Sequence, residues 1–235
     1  MEAKGITIGV DEVGMGSAAG PLLICAAAFA HQDKPNSQIN DSKKLTAATR
    51  RNLCFKITDE YALAIGIGMS PVSLIVNSGM NAAWTNACRK ALEDVRAALA
   101  RKGHILELNN KIIIDGPPKK DFKQFIPKEL RHVKLEMCAR ADGIYWQVGA
   151  ASIVAKVVRD GIMTAIGQEY PEYYWNENAG YLTNRHRYAI LKYGLTPHHR
   201  TNWNIKPSKD EVKWFAQNPD ISFERWETHV LKMRL

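Results

Sequence analysis

Cysteine is scarce in this chain, with four residues at positions 25, 54, 88 and 138 of 235. None stands in a C-x-x-C pair, so neither a zinc site nor a disulfide framework is offered, and a reducing compartment is implied. H-E-x-x-H and paired His/Cys spacings are also missing, although His198 and His199 are adjacent, so a zinc site is not expected. No apolar run approaches the roughly 20 residues that span a bilayer. The run from Ala18 to Ala30 follows Asp11 and Glu12 rather than a basic segment, so it reads as a buried strand and not as a signal sequence. Repeats, low-complexity tracts and Pro/Ser/Gly-rich linkers are absent, and the expectation is a soluble cytoplasmic protein with no membrane partner. The six tryptophans are scattered without a repeated aromatic motif, which argues against a pure single-strand binder.

What is present suffices for a core. Hydrophobic residues make up 46% and charged residues 24%, which favours one compact unit with a C-terminal appendage. Lys and Arg outnumber Asp and Glu by 32 to 24, a net charge of +8 that favours a polyanionic partner. Charge alone does not separate DNA, RNA and anionic membrane. Gly5 to Val10 and Leu22 to Phe29 read as a first pair of strands, and Tyr61 to Met69 as a third. Lys111 to Asp115 is a fourth, stopped by Gly116-Pro117-Pro118, and Val133 to Met137 a fifth. A helix is predicted from Thr46, as its cap, to about Asp59. Another covers 81–102, where apolar residues at 84, 88, 91, 92, 95, 98 and 99 form a stripe and Gly103 follows as a C-terminal cap. Further helices are predicted over 147–167, 184–193 and 210–217. Strands followed by mixed strands and helices imply an α/β layered fold.

The acids that stand out are Asp11 and Glu12 at the end of the first strand, Asp115 at the end of a central strand, and Asp142 before the second long helix. Adjacent strand residues face opposite ways, so Asp11 and Glu12 share a site only if the chain bends, which Gly14 and Gly16 make cheap. Carboxylates converging on one sheet edge repel and raise one another's pKa unless cations bind among them. Mg²⁺ fits, since it prefers oxygen ligands and bridges carboxylates to phosphate, and two such ions stabilise in-line displacement at phosphorus. A basic chain with an acidic centre suggests a phosphodiesterase. Taken singly, each acid also fits a surface residue or a cap.

The same residues sit in blocks that resemble ribonuclease HII, the type 2 ribonuclease H. GVDEVGMGSAAGPLLICAAAF from Gly9, NDSKKLT at 40–46 and IIIDG at 112–116 are followed by RAD and GAASIVAKVVRD within 140–160, then GYLT and YGLTPHHR within 180–200. The resemblance implies a ribonuclease H-like fold, a mixed five-stranded sheet flanked by helices, with a catalytic domain over 1–200 and a C-terminal helical extension over 201–235 packed on the same unit. It implies a metal-dependent endoribonuclease, using Mg²⁺ or Mn²⁺. Its substrates would be the RNA strand of RNA–DNA hybrids and sites 5′ of ribonucleotides embedded in duplex DNA. Cleavage would leave 5′-phosphate and 3′-hydroxyl ends, a chemistry suited to ribonucleotide excision repair, and a monomer is expected. Asp11, Glu12, Asp115 and Asp142 map onto the family's catalytic, metal-binding acids.

The nucleic-acid contacts implied in the same way are Gly14, Met15, Gly16, Lys43, Lys156, Tyr181 and Arg200. Gly14 and Gly16 let backbone approach the 2′-hydroxyl that distinguishes RNA from DNA, or simply make a tight turn. Tyr181 resembles the tyrosine that stacks on the sugar after the ribonucleotide, and it equally suits a core anchor. Lys43 matches the lysine of the DSK motif and would contact phosphate. Ser152, Lys156 and Asp160 share a helical face with Arg159 beside them, where Lys156 and Asp160 also suit an ordinary ion pair. Arg185, Arg187, His198, His199 and Arg200 form a basic cluster to which a duplex gives a purpose. Three departures stand out: Met15 replaces the family's arginine between the glycines, Leu182 replaces a proline, and Thr201-Asn202-Trp203 differ from the usual run. Met15 also fits the related ribonuclease HIII, which prefers continuous hybrids, although Asp11 leaves no room for that family's N-terminal platform. A nucleic-acid-binding module of the same fold, with weak or no cleavage, is the alternative class.

Overall fold

The computed structural model describes residues 5–30, 34–39, 42–117 and 122–233. Two compact units are formed, one from residues up to Met15 with Leu22–Arg159, the other from Gly16–Pro21 with the chain from Asp160 onward.

The first unit is built on a five-stranded sheet: β1 (Ile6–Val13), β2 (Leu22–Ala30), β3 (Ala64–Ser70), β4 (Lys111–Asp115) and β5 (Lys134–Cys138). The spatial order is β3-β2-β1-β4-β5. β2 runs antiparallel to both β1 and β3, whereas β4 is parallel to β1 and to β5. Helices α1 (Ala47–Lys56), α2 (Val72–Arg101), α3 (Ala141–Ile144) and the first part of α4 (Trp146–Glu169) complete it. The two-residue period of β1 sends Ile6, Ile8 and Val10 into one core with Ala87, Ala91, Leu92, Val95 and Leu99 of α2. Each fully buried aliphatic chain there contributes about 1.5–3 kcal/mol. The opposite face of β1 meets α4, and Gly9 is the residue that permits it, because a Cβ there would collide with the backbone of Gln147 and Val148.

α1 starts on its expected cap, the Thr46 side chain accepting from the Thr49 N–H. The apolar stripe of α2 is buried as predicted, but that helix begins at Val72 and is interrupted at Gly79, whose φ of 82° is not helical. The 72–78 segment carries Val, Ser and Asn among its apolar residues, and its pattern was too short to read as a helix of its own.

The second unit contains α5 (Trp175–Asn178), α6 (Asn184–Tyr193), α7 (Lys209–Gln217) and α8 (Phe223–Met233). α7 opens with a capping box between Ser208 and Glu211. The C-terminal helices are joined to α6 through Tyr188, whose ring meets Phe215, Phe223 and Trp226 and whose hydroxyl donates to the Ile221 carbonyl at 2.6 Å. α8 falls within the helical extension expected over 201–235, where its own bounds were not delimited although Phe223, Trp226 and Val230 have helical spacing. Among the described residues no helix is long and apolar enough to cross a membrane.

Candidate active site

Asp11 and Glu12 occupy adjacent positions on β1, and the bend that seemed necessary to unite them is absent, since β1 stays paired with β2 through Val13↔Leu23. The end of β4 brings them together instead. β1 and β4 pair as far as Val10↔Ile114, and β4 closes at Asp115. Past Val10, therefore, β1 has an open edge on the β4 side, around which side chains from both sheet faces can reach. One carboxylate oxygen from each of Asp11, Glu12 and Asp115 lies within 4.8 Å of the others.

Each acid is held from a different element. Asp11 is 7% exposed and lies on the α4 face. Its Oδ1 accepts the Glu12 N–H at 2.8 Å, and it is hydrogen-bonded by Ser152 of α4. Ser152 Oγ in turn lies 2.9 Å from Ser42 Oγ. Glu12 lies on the α2 face, where its Oε2 accepts the Trp84 indole N–H at 3.3 Å. Asp115 Oδ1 accepts the Ala141 N–H at 2.6 Å, which ties the end of β4 to the start of α3. Asp142, the next residue of α3, is half-buried and is not one of the three whose oxygens converge.

Burial is the largest influence on Asp11, the Glu12 and Asp115 charges act in the same direction, and together they raise its carboxyl to about 8 against the pull of Ser152 and the Glu12 amide. A carboxyl that resists ionising at neutral pH is a poor resident of a metal-free fold and a good ligand once a cation neutralises its neighbours. The donor set is oxygen only, which suits hard divalent ions such as Mg²⁺ or Mn²⁺ and disfavours zinc. On chemistry, then, the residues present fit a divalent cation.

The remaining sequence-derived positions fall as follows. Gly14 is buried with φ of 90°, and Met15 is 37% exposed. In the second unit Gly16 is exposed, and a Cβ on it would lie 3.9 Å from Cε1 of Tyr181, which is itself 42% exposed. Lys156 is half-buried on α4. The Lys43 side chain lies outside the described residues. Arg200 is fully buried, and its guanidinium donates twice to the Gly20 carbonyl at 3.1 and 2.9 Å. Its observed work is to fasten the Gly16–Pro21 segment rather than to face solvent. His199 is likewise 1% exposed, so the basic cluster read from 185–200 is not one surface.

Sequence reading missed Trp84 as the clamp on Glu12, because one tryptophan in an apolar stripe carries no functional signal. Ser42 and Ser152 fall within the NDSKKLT and GAASIVAKVVRD blocks, but nothing in their spacing joins residues 110 positions apart.

A mixed sheet with carboxylates gathered where a central parallel strand ends defines a metal-dependent α/β hydrolase of the ribonuclease H-like class. A Ribonuclease HII family model matches residues 8–206. Ribonuclease HII of Cytophaga hutchinsonii is 38% identical over 204 residues, which is 87% of this chain and 92% of that protein. Among solved structures, ribonuclease H2 from Pyrococcus horikoshii superposes with a TM-score of 0.70 at 26% identity, covering 90% of this chain and 99% of that one. Bst-RNase HIII in complex with Mn²⁺ shares the fold at a TM-score of 0.62 and 19% identity, covering 86% of this chain and 68% of that one. The chain belongs to the ribonuclease HII family of endoribonucleases.

Proposed function

We propose that this protein cleaves the RNA strand of RNA–DNA hybrids and the bond 5′ of ribonucleotides embedded in duplex DNA, using Mg²⁺ or Mn²⁺ held by Asp11, Glu12, Asp115 and Asp142. The observation that carries the reading is the convergence of the first three carboxylates within 4.8 Å on a family-matched sheet. A divalent ion bound there supplies charge stabilisation at phosphorus and an acidified water. The protein's part is to hold the ligands: Ser152 and the Glu12 amide orient Asp11, Trp84 orients Glu12, and the Ala141 amide orients Asp115. Water oxygen bonds to phosphorus, the P–O3′ bond breaks, and O3′ takes up a proton, leaving 5′-phosphate and 3′-hydroxyl ends.

The Gly14 and Gly16 backbone addresses the 2′-hydroxyl, Tyr181 stacks on the sugar that follows the ribonucleotide, and Lys43 and Lys156 meet phosphates. Met15 stands between the two glycines in the sequence, and Arg200 acts from within by holding the Gly16–Pro21 segment. Residues 1–200 form the catalytic domain with 201–235 as its helical extension, acting as a monomer in the cytoplasm. Among the described residues none of the four cysteines is in a disulfide, in keeping with a reducing compartment. One observation favours a second reading, a preference for continuous hybrids: Met15 stands where the family carries arginine. The test is cleavage of three duplexes, with one embedded ribonucleotide, a continuous hybrid and all DNA, in Mg²⁺ and in Mn²⁺. Cutting of the first two and not the third is expected, and Asp115→Asn should abolish it while leaving the fold intact. Wild-type rates from that variant would overturn the site.

A further inference from the structure

Two histidines lie buried in the second unit, His186 on α6 at 0% exposure and His199 at 1%, and their Nε2 atoms are 3.1 Å apart. Tyr173 and Trp175 enclose them, with ring centroids 5.0 and 5.3 Å from that of His199. The surrounding partners determine where each proton sits. His186 Nδ1 is 3.0 Å from the Tyr181 carbonyl, which only accepts, so Nδ1 carries the hydrogen. His186 Nε2 receives the Trp175 indole N–H at 3.1 Å, which only donates, so this nitrogen is bare. His199 Nε2 must then donate to it. His199 Nδ1 closes the chain by accepting the Thr196 N–H at 2.9 Å. Every ring nitrogen thus has a partner, and the donors run in one direction from Thr196 to Tyr181. Burial lowers the pKa of both rings, the charge of each neighbour adding to the effect at His199, so they are neutral at neutral pH.

The loop that receives this chain is clamped on its other side as well. The Gly180 carbonyl accepts the N–H groups of Ala18 and Ala19 at 2.9 and 3.1 Å, and the Tyr181 carbonyl also accepts the Thr183 N–H at 2.9 Å. Gly180 has φ of 80°, and a Cβ there would collide with the Ala19 carbonyl. The Tyr181 backbone is therefore fixed from below while its ring stays 42% exposed.

We propose that His186 and His199 form a neutral imidazole relay that positions Tyr181, and so set the preference for a single embedded ribonucleotide over continuous RNA without touching nucleic acid. The proposal rests on the reading of Tyr181 as the residue that recognises the RNA-to-DNA junction. Both histidines are positioning residues.

The first measurement is ¹⁵N NMR of the intact protein with labelled histidine at neutral pH. His186 is expected as the Nδ1–H tautomer and His199 as the Nε2–H tautomer, both neutral. The opposite tautomer at either residue, or a protonated ring, overturns the relay. The second compares His186→Asn with His186→Gln. The asparagine amide nitrogen falls near the place of Nδ1 and keeps a donor for the Tyr181 carbonyl, whereas glutamine puts its amide near Nε2 and loses that donor. The readout is the ratio of kcat/KM on the single-ribonucleotide duplex to that on the continuous hybrid. Asparagine should stay within about twofold of wild type and glutamine should fall about fivefold, with kcat on the hybrid unchanged in both. Equal ratios in the two variants refute the relay. Tyr181→Ala separates the two layers of the argument. If it leaves the ratio unchanged, the reading of Tyr181 fails and the relay with it; if it lowers the ratio and His186→Gln does not, the relay alone fails. The tautomer measurement uses the unaltered protein and decides the matter should either variant not fold.

Discussion

Replacing Asp11 by asparagine should stabilise the metal-free protein while destroying its activity. The Asp11 carboxyl is raised to about 8 from an ordinary 3.8, with burial as the first cause and the Glu12 and Asp115 charges behind it. Between those two values the folded protein holds a proton that the unfolded chain has released, so stability falls as pH rises through the window. At pH 7 the gap of about three units corresponds to a ceiling of about 4 kcal/mol. Relaxation, water entry and coupling to the neighbouring acids reduce it, and about 2 kcal/mol is the working figure. Asparagine removes this cost because it never ionises, and its Oδ1 can still accept the Glu12 N–H that Asp11 now accepts at 2.8 Å.

For a chain of this size about 2 kcal/mol moves Tm by roughly 4–8 °C. The assay is thermal unfolding of wild type and Asp11→Asn after chelator treatment, at pH 7.5 and at pH 5. The variant should melt higher at pH 7.5, and the advantage should shrink at pH 5, where wild-type Asp11 bears less of the penalty. Adding Mg²⁺ or Mn²⁺ should raise the Tm of wild type well beyond that of the variant, because a cation relieves the repulsion that asparagine has already removed. A variant that melts lower than wild type without metal, or one whose gain is as large at pH 5 as at pH 7.5, would refute the account of Asp11.

Ser152→Ala should weaken metal binding about tenfold and shift the rising limb of the cleavage pH profile upward, since the Ser152 hydroxyl favours the ionised form of Asp11; calorimetric titration with Mn²⁺ and an unchanged affinity would count against it. His199 is lowered to about 4, chiefly by burial and then by His186, so the unfolded chain binds a proton between about 6.5 and 4 that the fold refuses, and stability falls as pH drops through that window. Urea unfolding should show wild type losing up to about 3 kcal/mol relative to His199→Gln from pH 7.5 to pH 4, and parallel curves would mean that His199 is protonated in the fold. Met15→Arg places a guanidinium at a position 37% exposed, and should steepen the slope of log affinity against log salt by about one unit in Ca²⁺-supported binding titrations; an unchanged slope would show that position 15 does not face phosphate.

The strands and most helices were legible because their signals are local. β4 closes at Asp115, as the apolar run before Gly116 and the two prolines requires, and α6 spans Asn184–Tyr193 between its Thr183 cap and Gly194. The route by which Asp11 and Glu12 meet was not legible. It depends on where a different strand stops, and the register Val10↔Ile114 that sets the open edge is a pairing between segments about a hundred residues apart. The burial of Arg200 and His199 was not legible for a related reason. A cluster of basic letters suggests a surface, but the Gly20 carbonyl that receives the guanidinium comes from a distant part of the chain, and the imidazole that receives His199 is brought to it only by the packing of α6. Composition cannot distinguish a solvated cation from one whose donors are consumed inside.

Asp11 and His199 show why a shifted pKa alone does not mark a site. Both are buried and both are displaced far from their ordinary values, mainly by burial. Around His199 the protein supplies complementary partners: Thr196 offers an N–H where the ring needs a donor, and His186 offers a bare nitrogen where it needs an acceptor. The neutral ring therefore costs little at neutral pH and serves as a strut. Around Asp11 the Glu12 and Asp115 carboxylates add repulsion to the cost of burial, and hydrogen bonds from Ser152 and one amide offset the two only in part. A perturbation that the surroundings satisfy points to architecture. One that the surroundings aggravate, in a cluster of oxygen donors, points to a cation as the partner for which the cluster was built.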